Sequence, residues 1–170
     1  MVEDTVVADY DLRSEHSLHN SFVRFINKSN RTVDVIWINF EGRPVKYKTL
    51  QPGVFLDVNT YATHPWIFLD SETHKRLVVE TKEVFLPEPW YVQYRHLRRE
   101  DFPLQLVRTP VYITIPLYTL RERSLQIVSE KLSQPDDAFK LELPISLQRD
   151  LAAMVKKTVK FRSFVSESVV

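Results

Sequence analysis

Five residues in the first half of the chain carry recognition chemistry: Trp37, Tyr47, Thr60, His64 and Trp66. Two indoles and a phenol can form aromatic walls. A hydroxyl and an imidazole can form a polar floor that donates and accepts hydrogen bonds. Together they are the parts of a small aromatic pocket. Each also has a plainer reading. Trp37 and Trp66 lie in apolar stretches, where a tryptophan commonly serves the core. His64 precedes Pro65 and fits an ordinary loop. Composition leaves both readings open.

Other chemistry is missing. Gly42 and Gly53 are the only glycines, so no glycine-rich phosphate loop exists. Of the histidines His16, His19, His64, His74 and His96, only His16 and His19 are close, and no acidic ligand stands at helical spacing from them. Ser, His and Asp occur without a nucleophile elbow. No catalytic residue, metal or cofactor is expected. The chain has no cysteine, which excludes disulfides and thiolate-bound metal. A net charge of +1 selects neither nucleic acid nor membrane. Residues 1–12 carry Glu3, Asp4, Asp9 and Asp11 and read as a mobile acidic tail, not a secretory signal. No apolar run reaches membrane-spanning length, so a soluble intracellular protein is expected. Asn27-Lys28-Ser29 fits a glycosylation sequon but reads as a turn between strands.

The elements that must position these residues are short strands. Ser21–Ile26, Thr32–Phe40, Tyr47–Leu50, Val54–Thr60, Trp66–Asp70, Leu77–Glu80 and Glu83–Leu86 are rich in β-formers and broken by turn residues. A long last strand is expected over Leu104–Ile115. The pattern predicts a mainly β chain: a seven- or eight-stranded antiparallel β-sandwich over 13–116, followed by a small α-helical domain. Thr119 and Glu122 fit a capping box opening a helix that runs to about Ser133. Gln134-Pro135-Asp136-Asp137 breaks it, and Pro144 fits the first turn of another helix. The α-domain spans 117–151. Residues 152–170 read as a final helix and tail that could pack back on the sandwich. Thr119–Val128 and Leu143–Leu151 each present one helical stripe. The segment reads as too short to enclose both stripes, which makes them docking surfaces.

Longer motifs carry a resemblance. Trp37-Ile38-Asn39-Phe40-Glu41-Gly42-Arg43-Pro44, Tyr47, Thr49-Leu50-Gln51-Pro52-Gly53 and Thr60-Tyr61-Ala62-Thr63-His64-Pro65-Trp66-Ile67-Phe68 closely resemble the β-domain of the von Hippel–Lindau tumour suppressor family. Pro110-Val111-Tyr112, Leu117-Tyr118-Thr119-Leu120-Arg121-Glu122-Arg123 and Leu125-Gln126-Ile127-Val128 continue the match into its α-domain, so that it covers roughly residues 13–151.

The resemblance implies the substrate receptor of a cullin RING ubiquitin ligase, non-catalytic, in cytoplasm and nucleus. It implies a site for 4-hydroxyproline in the alpha subunit of hypoxia-inducible factor, formed by Trp37, Tyr47, Asn59, Thr60, Tyr61, His64 and Trp66. Thr60 and His64 would bond the 4-hydroxyl. It implies elongin C, with elongin B, binding at Leu120, Arg123, Ser124, Ile127, Val128, Leu141 and Leu147. Cullin-2, with its RING subunit, would bind at Leu143, Pro144, Leu147 and Leu151.

The chain departs from its relatives in places. They usually have Cys where Ser124 stands and Arg where Ser129 stands, and the vertebrate members have Ser where Thr60 stands and His where Asn59 stands. About a dozen extra residues lie in Glu88–Thr109, with Trp90, Tyr91, Tyr94, Arg95, Arg98 and Arg99. This insert reads as a solvated extended hairpin rather than a nucleic-acid surface. Ser124 and Ser129 keep open an alternative, a hydroxyproline-peptide-binding module that has lost elongin and acts as competitor or shield.

Overall fold

The computed structural model describes residues 12–166, with side chains as far as Val159. The acidic tail expected over 1–12 lies outside them, apart from Leu12. The chain divides into two compact units, one ending at Pro116 and one beginning at Leu117.

The first unit holds eight strands. They are β1 (Asn20–Asn27), β2 (Val33–Ile38), β3 (Pro44–Leu50), β4 (Phe55–Tyr61), β5 (Trp66–Asp70), β6 (Arg76–Val79), β7 (Val84–Phe85) and β8 (Thr109–Thr114). Hydrogen bonding follows the order β3-β2-β5-β6-β8-β1-β4, with β7 added to β5. Strand β6 belongs to both halves, and the end strands β3 and β4 approach each other, so the sandwich is nearly closed. Two-residue alternation explains the core. In β1, Ser21, Val23, Phe25 and Asn27 point inward while the residues between them stay half-exposed or at the rim. Val23, Phe25, Val33, Val35, Trp66, Phe68 and Ile113 form its centre. All five residues of β5 are buried, as in a strand covered on both faces.

Turn chemistry sets the hairpins. Val54 N–H donates to the Gln51 carbonyl, and Gly53 takes φ +79° between them, a conformation a side chain would strain. Asn27 settles the sequon. It is wholly buried, and its amide nitrogen donates to the carbonyls of Arg31 (2.7 Å) and Leu50 (3.0 Å). Its oxygen accepts from the Ser29 backbone and hydroxyl. In this fold it ends β1, and its side chain pins the turn that follows.

Three expectations are corrected here. The sandwich is not wholly antiparallel, because β1 and β8 run parallel, with Val23 opposite Thr109. Strand β8 begins at Thr109 rather than Leu104, since only there does the chain meet β1. The insert is not an extended hairpin. It makes two short 3-10 turns, Val92–Tyr94 and Arg99–Asp101, around packed rings of Trp90, Tyr94 and Phe102 at 5.4–6.1 Å. Packing of three half-buried aromatic rings against one another outweighs the strand propensity of Leu104–Val107.

The second unit contains α1 (Leu120–Ser129), a 3-10 turn over Pro135–Lys140, and α2 (Ile145–Ser166). The capping box at Thr119 and Glu122 is formed in both directions. Helix α1 ends four residues before Ser133, where Lys131 and Leu132 donate to carbonyls three residues back. Helix α2 is continuous across 151 and 154, where separate helices were expected. No proline or glycine occurs in it to break it. The unit also encloses a core, contrary to the expectation from its length. Leu125, Ala138 and Leu151 are buried against Val128, Leu132, Leu141, Leu143 and Leu147. Among the described residues no helix is long and apolar enough to cross a membrane.

Leu151 is the keystone of this small core. Leu151→Ala should cost about 2–5 kcal/mol through lost burial and a residual cavity. Hydrogen exchange should show α1 and α2 amides losing protection; unchanged protection would contradict this packing.

Candidate functional site

Three adjacent strands bring the aromatic residues together. Trp37 in β2 stands directly opposite Trp66 in β5, and Tyr47 comes from the neighbouring β3. Tyr47 packs edge-on to Trp66 at 4.8 Å and to Trp37 at 6.3 Å, while remaining half-exposed. Trp66 is buried and also touches core Phe25 at 5.1 Å, so one indole serves both core and site. Its Nε1–H donates to Thr60 Oγ1 (3.1 Å), which comes from β4 in the other half of the sandwich. Thr60 Oγ1 thereby spends one lone pair and keeps its own proton for a ligand.

His64 sits in the turn between β4 and β5, where its N–H donates to the Tyr61 carbonyl. Its imidazole stacks on Trp37 (5.4 Å, 27°) and meets Phe40 edge-on at 5.3 Å. Tyr61 lies at 5.0 Å on a further side. The ring is 6% exposed. Burial, then the nearby His16, hold its pKa below the ordinary imidazole value, against a hydrogen bond with the His16 backbone. At neutral pH it is an uncharged ring with one donor and one acceptor nitrogen.

The sequence reading missed what holds these walls. Residues 12–19 run along the site as a strap. Ser14, 2% exposed, accepts from Trp37 Nε1 (2.8 Å) and donates to the Ile38 carbonyl (2.7 Å). Ser17 Oγ lies 3.4 Å from His64 Nε2. Thr63 and His16 exchange two hydrogen bonds that tie the strap to the turn. Isolated serines carry no periodic signal. The buried partner of an indole N–H was the question that could have pointed to Ser14. Phe40, a site wall, was hidden at the end of an expected strand.

The structure gathers Trp37, Tyr47, Thr60, Tyr61, His64 and Trp66. Asn59 is not among them: it is exposed, between the inward-facing Val58 and Thr60. The histidine pair does not converge on a metal site. His19 instead meets the Tyr91 ring and hydroxyl, and no group of ligating residues for a metal occurs among the described residues.

In the helical unit the proposed contact residues separate into two sets. Leu120 is 84% exposed, and Arg123, Ser124 and Ile127 share its open side. The Ser124 hydroxyl donates to the Leu120 carbonyl (2.8 Å). Val128, Leu141, Leu143 and Leu147 are half-buried against the small core, and Leu151 is wholly buried within it. Leu151 therefore supports any outer face from inside and offers a cullin no contact. Pro144 is exposed immediately before α2.

Comparison with known proteins agrees with this architecture. Residues 12–91, which hold the strap and every aromatic of the site, match the family model described as VHL beta domain. Protein Vhl of Drosophila melanogaster is 31% identical over 141 residues, covering 79% of this chain and 77% of that protein. With the nearly closed sandwich and the following helices, these matches show that the chain belongs to the VHL family.

Proposed function

We propose that this chain is the substrate-recognition subunit of a cullin RING ubiquitin ligase. Its ligand is 4-hydroxyproline in the alpha subunit of hypoxia-inducible factor, acting in cytoplasm and nucleus. Family membership suggests the general part, a substrate-recognition role. The specific part rests on one observation: a buried threonine hydroxyl and a buried neutral imidazole stand within an aromatic wall that Tyr47 opens to solvent. A proline ring fits against indole and phenol faces. Its 4-hydroxyl can pair with Thr60 and His64. A ligand without that hydroxyl leaves both polar groups desolvated and unpaired, which is the strong form of discrimination.

The exposed face of α1 supports the second half of the proposal, recruitment of elongin C with elongin B, and through them cullin-2 and its RING subunit. Leu120, Ser124 and Ile127 form an unpartnered stripe at helical spacing. The serine replaces the family's cysteine, and its hydroxyl is already satisfied by Leu120, so the face stays effectively apolar. That favours the receptor over the shield. Ubiquitin transfer is left to the other subunits, with this chain supplying proximity.

Three outcomes follow from these assignments. Calorimetry with matched peptides should show the hydroxylated form binding at least ~100-fold tighter than its proline twin; equal affinities would sink the proposal. Ser124→Phe should abolish elongin B–C binding through overpacking and leave peptide binding intact. Tolerance of phenylalanine would hand the argument to the shield.

The third outcome concerns acid. Because the folded-state pKa of His64 is depressed, the unfolded chain takes up a proton below about pH 6.5 that the folded chain refuses. Stability is therefore full above that pH, falls as pH drops toward the folded value, and levels off below it. Thermal melts of His64→Asn should lose this part of the acid sensitivity.

A further inference from the structure

The strap has a role beyond holding chain in place. We infer that Ser17 is a positioning residue that fixes the tautomer of His64 and so sets the direction of a hydrogen-bond chain through the ligand hydroxyl. The inference rests on the hydroxyproline reading given above.

The direction can be followed from the core outward. The Trp66 indole can only donate, and it donates to Thr60 Oγ1. Thr60 is then free to donate its own proton onward. A ligand hydroxyl that accepts from Thr60 has one proton to give, and it needs a bare ring nitrogen on His64. The His64 Nε2 is the nitrogen beside Ser17 Oγ, at 3.4 Å. In this reading Nδ1 is the nitrogen that meets the ligand. For Nδ1 to be bare, the neutral ring must carry its proton on Nε2, and Ser17 Oγ must accept it. A serine can accept there while its own proton goes to solvent, since Ser17 is exposed. The chain runs Trp66, Thr60, ligand hydroxyl, His64, Ser17, with each donor meeting one acceptor.

Reversal of the tautomer would place a proton on Nδ1. Thr60 and His64 would then both hold a proton toward the ligand oxygen, and the ligand could donate only to the remaining lone pair of Thr60 Oγ1, which costs Thr60 its own bond to the ligand. A hydroxylated peptide would lose one hydrogen bond, while a proline peptide would notice nothing. This separates Ser17 from a purely structural strap residue such as Ser14, whose loss would loosen the Trp37 wall for both peptides.

The test uses the full chain with Ser17→Ala and Ser17→Thr. Long-range 1H–15N correlation of the free protein should show His64 protonated at Nε2 in the parent and in Ser17→Thr, and a mixture of tautomers in Ser17→Ala. Calorimetry should show Ser17→Ala binding a hydroxyproline peptide about three- to tenfold more weakly, the proline twin unchanged, and Ser17→Thr restoring the parent affinity. An Nδ1–H ring in the parent would overturn the inference. So would an unchanged preference for the hydroxylated peptide in Ser17→Ala. If the parent shows no such preference at all, the proposed function fails, and the specificity role of Ser17 falls with it. The ring spectra of the free protein tell that case from a wrong tautomer.

Discussion

A buried indole N–H must find an acceptor, and the sandwich is arranged around the one it finds. Trp66 lies between the core ring of Phe25 and the half-exposed ring of Tyr47. An unmet donor there would cost about 1–3 kcal/mol. Thr60 meets it from the far half of the β structure, so the bond ties β5 to β4 across the interior. It also presents a correctly polarised hydroxyl at the floor of the site. Fold stability and the proposed ligand chemistry thus share an atom. Changes at Thr60 act on both at once, whereas changes at Tyr47 act mainly at the open side.

The site is built from the edges inward. Trp37 takes its place through Ser14, and His64 through Ser17, Tyr61 and the stacked indole. Both serines sit on a segment without regular secondary structure. Its order comes from side-chain bonds and from the Ser14 and Ala62 backbone contacts with Asn39 and His19. Precision at a recognition site therefore comes here from a strap pinned at several points, with strands supplying only the rigid backing.

Much of the β unit and the start of α1 could be read from the chain because their signals are local. Alternating apolar residues in Ser21–Asn27, the turn residues at Gln51-Pro52-Gly53 and the Thr119–Glu122 capping box each act over a few positions. The aromatic group of the site was legible through the resemblance, since residue types alone left a core reading open. What escaped depends on distant parts meeting. The parallel β1–β8 pair and the Trp90–Tyr94–Phe102 cluster leave no periodic trace, and the Leu143–Leu151 stripe showed a face without showing what covers it. Helix α2 shows the opposite error. A boundary was expected after residue 151, but no proline or glycine stands there to enforce one.

The parallel pairing of β1 with β8 has a kinetic consequence. Val23 meets Thr109 more than eighty positions later in the chain. On a ribosome, β1 can form its hairpin-like pairing with β4 long before its second neighbour has been synthesised. Until then one edge of β1, with Val23 and Phe25 beside it, stays open. Contacts of such long range slow the search for the native state and extend the life of sticky intermediates. The nascent chain thus spends its most vulnerable interval waiting for one six-residue strand. Truncation before Thr109 leaves that interval without an end.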